Sequence, residues 1–136
     1  MSPLGAVTLH RLTVRFAETD LMGIVHHSNY LQYFEAARVE WLKARGVSYD
    51  SWVRAGIHLP VVDATLRYKK PARFDDALGV AARVAEISRV TVRFHYEITR
   101  EPGGDLVCEG DTRLACVGHD LRPRRWPPEV ERLLSS

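Results

Sequence analysis

Asp20 and the residues just after it are the first candidates for chemistry in this chain. Gly23 and the adjacent histidines His26 and His27 follow Asp20, immediately ahead of the longest helical pattern in the sequence. A helix N-terminus presents unpaired N–H groups and partial positive charge that can polarise a carbonyl group, and a nearby carboxylate can attack that carbonyl or activate water. Asp at the first position and Gly at the fourth are also typical of an ordinary type I turn over residues 20–23. Taken alone, this spacing favours the turn.

The helix that would position Asp20 begins at Ser28 or Asn29. Either side chain can accept hydrogen bonds from the first free backbone N–H groups, and Gly46 can adopt the left-handed conformation that closes a helix. The helix would have about seventeen residues and a length of roughly 25 Å. Apolar residues recur at spacings of three and four and form one stripe: Tyr30, Tyr33, Phe34, Ala37, Trp41 and Ala44. Such a stripe needs a sheet to pack against.

The rest of the chain has the alternating polar and apolar residues and the turn residues of a β-rich domain. Strands are predicted at 7–16, 57–68, 77–87, 90–99 and 105–118. A short helical or irregular cap is expected at 47–55, and a final helix near 129–134. Hairpins at 88–89 and 101–104 join the last three strands into an antiparallel meander. One strand, one long helix and four further strands predict an α+β fold with the helix on an antiparallel sheet.

The composition is that of a soluble globular protein with one domain. The chain has 136 residues, of which 46% are hydrophobic and 26% charged. A net charge of +2 with scattered basic residues predicts no nucleic-acid partner. Because the sequence has neither a signal-peptide core nor an apolar stretch of about 20 residues, we expect no membrane partner and a cytoplasmic location. Cys108 and Cys116 share one face of a predicted strand and are expected to be buried free thiols without a catalytic role.

Other catalytic classes find little support in the sequence. Adjacent histidines point in different directions and have no Cys or carboxylate partner at ligand spacing, so no metal is expected at His26-His27. Gly103-Gly104 joins two strands and is no phosphate loop, and the chain has no G-x-S-x-G elbow. Carboxylate chemistry remains. Besides Asp20, the candidates are Glu35 on the helix and Asp63 in the second predicted strand, although each could equally face solvent.

The residues around Asp20 also match a family pattern. The order and spacing resemble the 4-hydroxybenzoyl-CoA thioesterase and YbgC-like branch of the hotdog-fold acyl-CoA thioesterases at Thr19-Asp20, Gly23-Ile24-Val25, His27, Asn29-Tyr30 and the FEAAR motif of residues 34–38. A second stretch, LRYKKPARFDD, resembles a strand and a Pro-Ala-Arg turn of the same family. The resemblance implies a single hotdog domain over residues 1–136, in which a five-stranded antiparallel sheet wraps around one long central helix.

The resemblance also implies an activity, the hydrolysis of an acyl-CoA thioester to a free acid and CoA. In the implied mechanism, the backbone N–H of His27 polarises the thioester carbonyl, and Asp20 acts either as the nucleophile or as a general base. Gly23 would let the substrate approach the backbone closely. The other expected substrate-binding residues are Val25, His26, Asn29, Tyr30, Tyr33, Phe34 and Asp63. The candidates for binding the CoA phosphates are Lys69, Lys70, Arg73 and Arg89.

Further expectations follow from the same resemblance. The family needs no metal and no redox cofactor, and it points to a homodimer that assembles into a homotetramer. Related hotdog enzymes of another branch place a catalytic glutamate on the helix, which keeps Glu35 as a second candidate carboxylate. His26-His27 stands where many relatives have an aromatic or Tyr-His pair. Two other functions remain open, a hotdog hydratase or dehydratase acting on acyl thioesters and a non-catalytic acyl-CoA binding module.

Overall fold

Five strands and three α-helices make up residues 6–136, the part of the chain that this computed structural model describes. In chain order they are β1 Thr8–Thr13, α1 Asn29–Lys43, α2 Tyr49–Arg54, β2 Val61–Tyr68, β3 Ala77–Ile87, β4 Thr91–Glu101, β5 Leu106–Ala115 and α3 Pro128–Ser135. A 3-10 turn, Phe16–Glu18, follows β1. The expectation of no signal peptide rests partly on residues 1–5, which lie outside the described range.

All the predicted strands and helices are present, and only their end residues differ. The largest difference is at β2, which begins at Val61 and not at residue 57. Before Val61, His58 and Val117 form an isolated bridge, and the N–H of Ala115 donates to the Pro60 carbonyl oxygen at 3.0 Å. These contacts hold the segment beside the end of β5 without forming a continuous ladder.

The five strands form one antiparallel sheet in the order β1-β3-β4-β5-β2. The consecutive neighbours β3, β4 and β5 form the predicted meander. β1 pairs with the outer side of β3, and β2 pairs with β5 at the opposite edge. The predicted α+β fold, with five antiparallel strands and one long helix, is therefore confirmed.

One face of this sheet packs against α1. Buried and half-buried residues alternate along β4, as expected for a strand with one face in the core. Phe34 of α1 stacks on Tyr96 with ring centroids 4.3 Å apart, and Trp41 meets Phe94 edge-on at 5.3 Å. Gly110 of β5 makes this close packing possible, because a Cβ there would lie 3.0 Å from the Phe34 ring and 2.2 Å from a backbone oxygen of β2.

The C-terminal end of α1 differs slightly from the prediction. The helix has 15 residues, and it closes as expected with Gly46 at φ +80°. The N–H of Val47 donates to the carbonyl oxygen of Leu42 at 2.9 Å, the long bond of a helix-closing motif. The prediction that Ala44 completes the buried stripe was wrong. Ala44 is exposed because the helix has already ended there, and Leu42 is buried in its place.

The edge strand β2 is far more exposed than the other strands. Leu66 is its single half-buried residue, and all the others are exposed. Val61 and Val62 are 48% and 54% exposed. Among the strands of residues 6–136, only β5 pairs with β2, so the outer edge of β2 has free backbone groups. Such an edge can pair with another chain.

Candidate active site

A cleft of about 450 Å³ opens at the N-terminal end of α1. Three segments meet there: the loop after the 3-10 turn, the start of α1 and the chain that leaves β2. The lining residues are Asp20, Met22, Ile24, Val25, His27, Tyr30, Tyr68, Lys69, Lys70 and Pro71. Both predicted catalytic residues, Asp20 and His27, therefore line one cavity.

The Asp20 loop is a tight turn. The N–H of Gly23 donates to the Asp20 carbonyl oxygen at 2.9 Å, and the N–H of Asp20 donates to the carbonyl of Ile24 at 2.9 Å. Oδ1 of Asp20 accepts the N–H of Met22 at 2.8 Å. The prediction of a turn is thus confirmed, but the turn uses only one carboxylate oxygen. Oδ2 of Asp20 has no hydrogen-bond partner or ion pair within residues 6–136.

The start of α1 leaves a backbone donor at the cleft. Within the described residues, the N–H of His27, two residues before α1 begins at Asn29, donates no hydrogen bond. The N–H of Ser28 donates to Nδ1 of the His26 ring at 3.2 Å, and the same ring nitrogen lies 2.8 Å from the Ser28 hydroxyl. The His26 ring stacks on the His27 ring with centroids 4.2 Å apart.

The predicted helix cap was wrong in its chemistry. Neither Ser28 nor Asn29 accepts a hydrogen bond from a free N–H group of α1. The Ser28 hydroxyl is engaged with the His26 ring, and Nδ2 of Asn29 donates to the carbonyl oxygens of Glu18 and His26 at 2.9 and 3.3 Å. Asn29 therefore joins the helix to the loop in front of it.

Glu18 supports the Asp20 loop through hydrogen bonds. Glu18 is 8% exposed. Its carboxylate accepts hydrogen bonds from the backbone N–H and Nε of Arg15 and from the hydroxyl of Tyr33. Burial by itself would raise the pKa of Glu18, but these bonds and the Arg15 charge outweigh burial and lower that pKa. Sequence reasoning missed Glu18. The only signal was the i, i+3 spacing of Arg15 and Glu18 just before Asp20.

Aromatic side chains form one wall of the cleft. The rings of Tyr30 and Tyr68 lie 5.5 Å apart. Burial raises the pKa of both phenols, with a smaller contribution from nearby Cys108, so both remain neutral at pH 7. Burial, together with the Glu109 charge, raises the pKa of Cys108 to about 11. Cys108 is therefore a protonated thiol at neutral pH. Cys108 and Cys116 are both buried and free, as predicted; that neither has a catalytic role stays a prediction.

Several predicted binding residues lie at or beside this cleft. Val25, Tyr30, Lys69 and Lys70 line it. Gly23 belongs to the adjacent turn with φ +79°, and His26 flanks His27. Arg73 forms an isolated bridge with Ile24, so the backbone of Arg73 borders the loop. The lining residues that the sequence analysis did not name as binding residues are Met22, Ile24, Tyr68 and Pro71.

Other predicted binding residues lie elsewhere. Tyr33 and Phe34 are buried in the core beneath the loop and against Tyr96. Asp63 is on the exposed edge strand, where Oδ2 lies 3.6 Å from Nε of Arg113. Arg89 is in the hairpin between β3 and β4, at the far end of an 11-residue strand, which at about 3.3 Å per residue is some 30 Å from the cleft end. The structure does not bring Asp63 or Arg89 to the cleft.

Glu35 lines a different cavity, one of about 260 Å³ halfway along α1. Its other lining residues are Arg38, Val39, Leu42, Tyr49, Leu59 and Val61. Val61, the first residue of β2, lines this cavity, so the cavity lies beside the exposed edge strand. The two candidate carboxylates, Asp20 and Glu35, therefore belong to separate sites.

A sequence profile of the thioesterase-like superfamily matches residues 14–134, which include the cleft and every strand of the sheet except β1. The chain belongs to the thioesterase-like superfamily. The predicted relationship is confirmed, and with it the hotdog fold, because solved structures of this superfamily superpose on the chain over nearly its full length.

Three relatives illustrate the match within the superfamily. The hypothetical protein TT1821 from Thermus thermophilus is 42% identical, with 93% of this chain and 96% of that chain covered and a TM-score of 0.88. DHNA-CoA thioesterase from Staphylococcus aureus is 33% identical, with 95% and 89% covered and a TM-score of 0.90. The acyl-CoA thioester hydrolase YbgC of Escherichia coli O6:H1 is 28% identical over 126 residues, 90% of this chain and 93% of that protein.

Among residues 6–136, no three His, Cys, Asp or Glu side chains stand close enough together to hold a metal ion. None of the helices in that part of the chain has both the length and the apolar character needed to cross a membrane.

Proposed function

We propose that this thioesterase-like protein hydrolyses acyl-CoA thioesters to a free acid and CoA. One observation carries the proposal: within residues 6–136, a carboxylate oxygen of Asp20 and the backbone N–H of His27 both lack a hydrogen-bond partner, and both residues line one cleft. The names of the S. aureus and E. coli relatives support CoA as the thiol.

In the proposed reaction, the thioester carbonyl oxygen accepts a hydrogen bond from the His27 N–H. Negative charge develops on that oxygen as the carbonyl carbon becomes tetrahedral, and an oriented backbone donor at a helix N-terminus stabilises it. The donor needs no proton transfer and no side chain. The imidazole rings of His26 and His27 therefore take no part in this step, and they stack on each other beside the cleft.

The free oxygen of Asp20 can act in two ways. As a nucleophile, Oδ2 adds to the carbonyl carbon and expels the CoA thiolate, and water then opens the resulting anhydride to return Asp20 and release the acid. As a general base, Oδ2 takes a proton from a water molecule whose oxygen adds to the same carbon. In both routes CoA leaves as the thiol after gaining a proton. A rapid burst of CoA ahead of the free acid would identify the nucleophilic route.

The cleft has an apolar wall and a basic side, which suit different parts of the substrate. The apolar and aromatic lining, with Tyr30 and Tyr68 neutral, suits the acyl chain and the pantetheine arm. Lys69 and Lys70 suit the phosphates of CoA because they lie at the same cleft and are exposed. Nζ of Lys70 also lies 3.5 Å from Oδ1 of Asp105, in a pair whose two side chains are both about half exposed, so a phosphate can compete for it.

The test is a thiol-release assay with acetyl-, butyryl-, palmitoyl- and benzoyl-CoA, run beside an assay of crotonyl-CoA hydration. We expect CoA release from at least one of the four thioesters and no hydration. Hydration without thiol release would favour a hydratase. Saturable acyl-CoA binding without either reaction would favour a binding module. Either of these results contradicts the proposal.

We also propose that the protein is a homodimer that pairs through β2 and assembles further into a homotetramer. The free outer edge of β2 and the exposed Val61 and Val62 support this pairing, because unpaired edges are usually covered in native proteins. The cavity beside Glu35 faces the same edge and would lie at the interface. Light scattering at micromolar concentration tests the assembly, and a stable monomer would contradict it.

A single domain over residues 1–136 and a cytoplasmic location complete the proposal. The five strands form one sheet, and strands and helices contribute to one hydrophobic core, which supports one domain. Two free buried cysteines support a reducing compartment. Proteolysis into two stable halves, or recovery of the protein from a secreted fraction, would contradict these statements.

A further inference from the structure

Glu18 is a buried carboxylate that the proposed reaction does not use. It lies two residues before Asp20, at the end of the 3-10 turn, and is 8% exposed. A buried charge is costly unless it is paired and hydrogen-bonded. The groups that satisfy this carboxylate therefore indicate what it holds in place.

The carboxylate of Glu18 joins the chain after β1 to the helix. Oε1 accepts the N–H of Arg15 at 2.9 Å and the hydroxyl of Tyr33 at 2.8 Å, and Oε2 accepts Nε of Arg15 at 3.1 Å. Tyr33 is in the second turn of α1, with its ring buried. These bonds fix how far the Asp20 loop stands from the helix.

The backbone carbonyl of the same residue holds the other arm of the loop. It accepts the N–H of His26 at 2.8 Å and Nδ2 of Asn29 at 2.9 Å. An isolated bridge between Thr19 and Val25 continues this contact. The side chain of Glu18 thus bonds to Arg15 and to Tyr33 of α1. Its backbone carbonyl bonds to His26, the residue just before His27.

We propose that Glu18 and Tyr33 are positioning residues that keep Asp20 and the His27 N–H on the same thioester carbonyl. This inference rests on the proposed hydrolysis. Neither residue lines the cleft, so both act through the loop and the helix start. Loss of the bond between them lets the loop shift against α1, and displacements of about 1 Å can lower a reaction rate about 100-fold. The effect is therefore expected in kcat and not in KM.

The central variant is Tyr33→Phe, because it removes the hydroxyl that Glu18 accepts and keeps the ring in the core. The loop retains its backbone anchors, among them the N–H of Val25 donating to the carbonyl of Ala72 at 2.8 Å, so the fold survives. The matched control is Tyr96→Phe. The hydroxyl of Tyr96 is also buried and hydrogen-bonded, to Thr112 at 2.6 Å and Arg38 at 3.1 Å, but it lies away from the loop.

Steady-state kinetics with the best substrate of the acyl-CoA panel should separate the two tyrosines. We expect Tyr33→Phe to lower kcat about 10- to 100-fold with KM within about twofold, and Tyr96→Phe to change kcat less than about threefold. In an Asp20→Asn background, Tyr33→Phe should lower kcat only slightly further, because the two residues act on the same step. Glu18→Gln should keep more activity than Glu18→Ala, because its amide oxygen can still accept the Tyr33 hydroxyl.

Hydrogen exchange gives a readout that does not depend on activity. In Tyr33→Phe, the amides of residues 18–27 should exchange faster than in the parent protein, while Tyr96→Phe should leave them unchanged. An active parent with unchanged kcat and unchanged exchange in Tyr33→Phe would overturn this inference alone. Equal losses of kcat in the two tyrosine variants would overturn it as well. A parent that releases no thiol from any acyl-CoA of the panel would overturn the proposed function, and this inference with it.

Discussion

Asp20 and Glu35 are both carboxylates beside cavities along α1, and the difference between their surroundings is the reason why we propose Asp20, and not Glu35, as the reacting group. Asp20 lies before the helix, where, among the described residues, neither the His27 N–H nor one carboxylate oxygen of Asp20 has a hydrogen-bond partner. Glu35 stands inside the helix, where backbone N–H groups already bond to the preceding turn. A carboxylate at Glu35 has no backbone donor with which to share a carbonyl substrate.

The two cavities also differ in their charged neighbours. The Asp20 cleft has Lys69 and Lys70 at its side and no other carboxylate among its lining residues. The Glu35 cavity contains Arg38, three residues along the same helix, and otherwise mainly apolar side chains. The first arrangement suits a substrate with phosphates, and the second suits a contact between protein surfaces. We therefore expect changes at the two sites to affect different measurements.

The largest contrast should come from the backbone donor at His27. His27→Pro removes the N–H at a position two residues before α1 begins, outside the helix interior that proline disrupts. His27→Ala removes the ring and keeps the N–H. We expect kcat to fall about 100- to 1,000-fold in His27→Pro, the usual loss for one oxyanion donor, and much less in His27→Ala.

Circular dichroism should show the same helix content in both His27 variants. Equal losses of kcat in the two would move the role from the backbone to the imidazole ring. Equal retention of activity would remove the helix start from the mechanism.

A smaller effect is expected from the basic side of the cleft. Replacing both Lys69 and Lys70 by Ala should raise KM for the preferred acyl-CoA roughly 3- to 10-fold, with kcat little changed, because exposed charge pairs are individually weak. The rise should shrink at high salt. Arg89→Ala is the matched control, since Arg89 is at the opposite end of β3. If Arg89→Ala raised KM as much as the double variant, CoA would have to extend along the sheet.

The smallest effect is expected at Glu35. Glu35→Gln should change kcat less than about threefold, because it alters an exposed group outside the Asp20 cleft. Asp63→Asn, on the edge strand, should behave alike. Thiol release measured on both variants checks this expectation. A large loss in Glu35→Gln alone would transfer the catalytic role to the helix.

Much of the fold could be predicted because its signals are local. The spacing of Tyr30, Phe34 and Trp41 marked α1, and alternation marked β3 and β4. The error at Ala44 arose because periodicity does not show where a helix stops. At β2, sequence alternation continued through residues 57–60, but the ladder with β5 begins only at Val61.

The candidate site was predictable only where its residues are neighbours in sequence. Asp20 and His27 lie seven positions apart, and both the helix start and the family pattern indicate them. Tyr68 and Pro71 reach the cleft only because the sheet order brings the end of β2 beside α1, which no local spacing reveals. Arg89 was selected for its charge alone, and it lies beyond the end of β3 that is farther from the cleft. Glu18 was missed because sequence does not show that a charge is buried.

The most direct test of the account is kcat for Asp20→Asn with the preferred acyl-CoA. Asparagine keeps the shape and can still accept the N–H of Met22, so the turn and the fold should survive with at most about 1 kcal/mol lost from the free energy of unfolding. The variant cannot attack a carbonyl or take a proton from water. We predict that kcat falls at least about 100-fold, or about 2.7 kcal/mol in the barrier, while calorimetry shows unchanged acyl-CoA affinity. Thiol release within about threefold of the parent protein would contradict the account and leave Asp20 as a turn residue only.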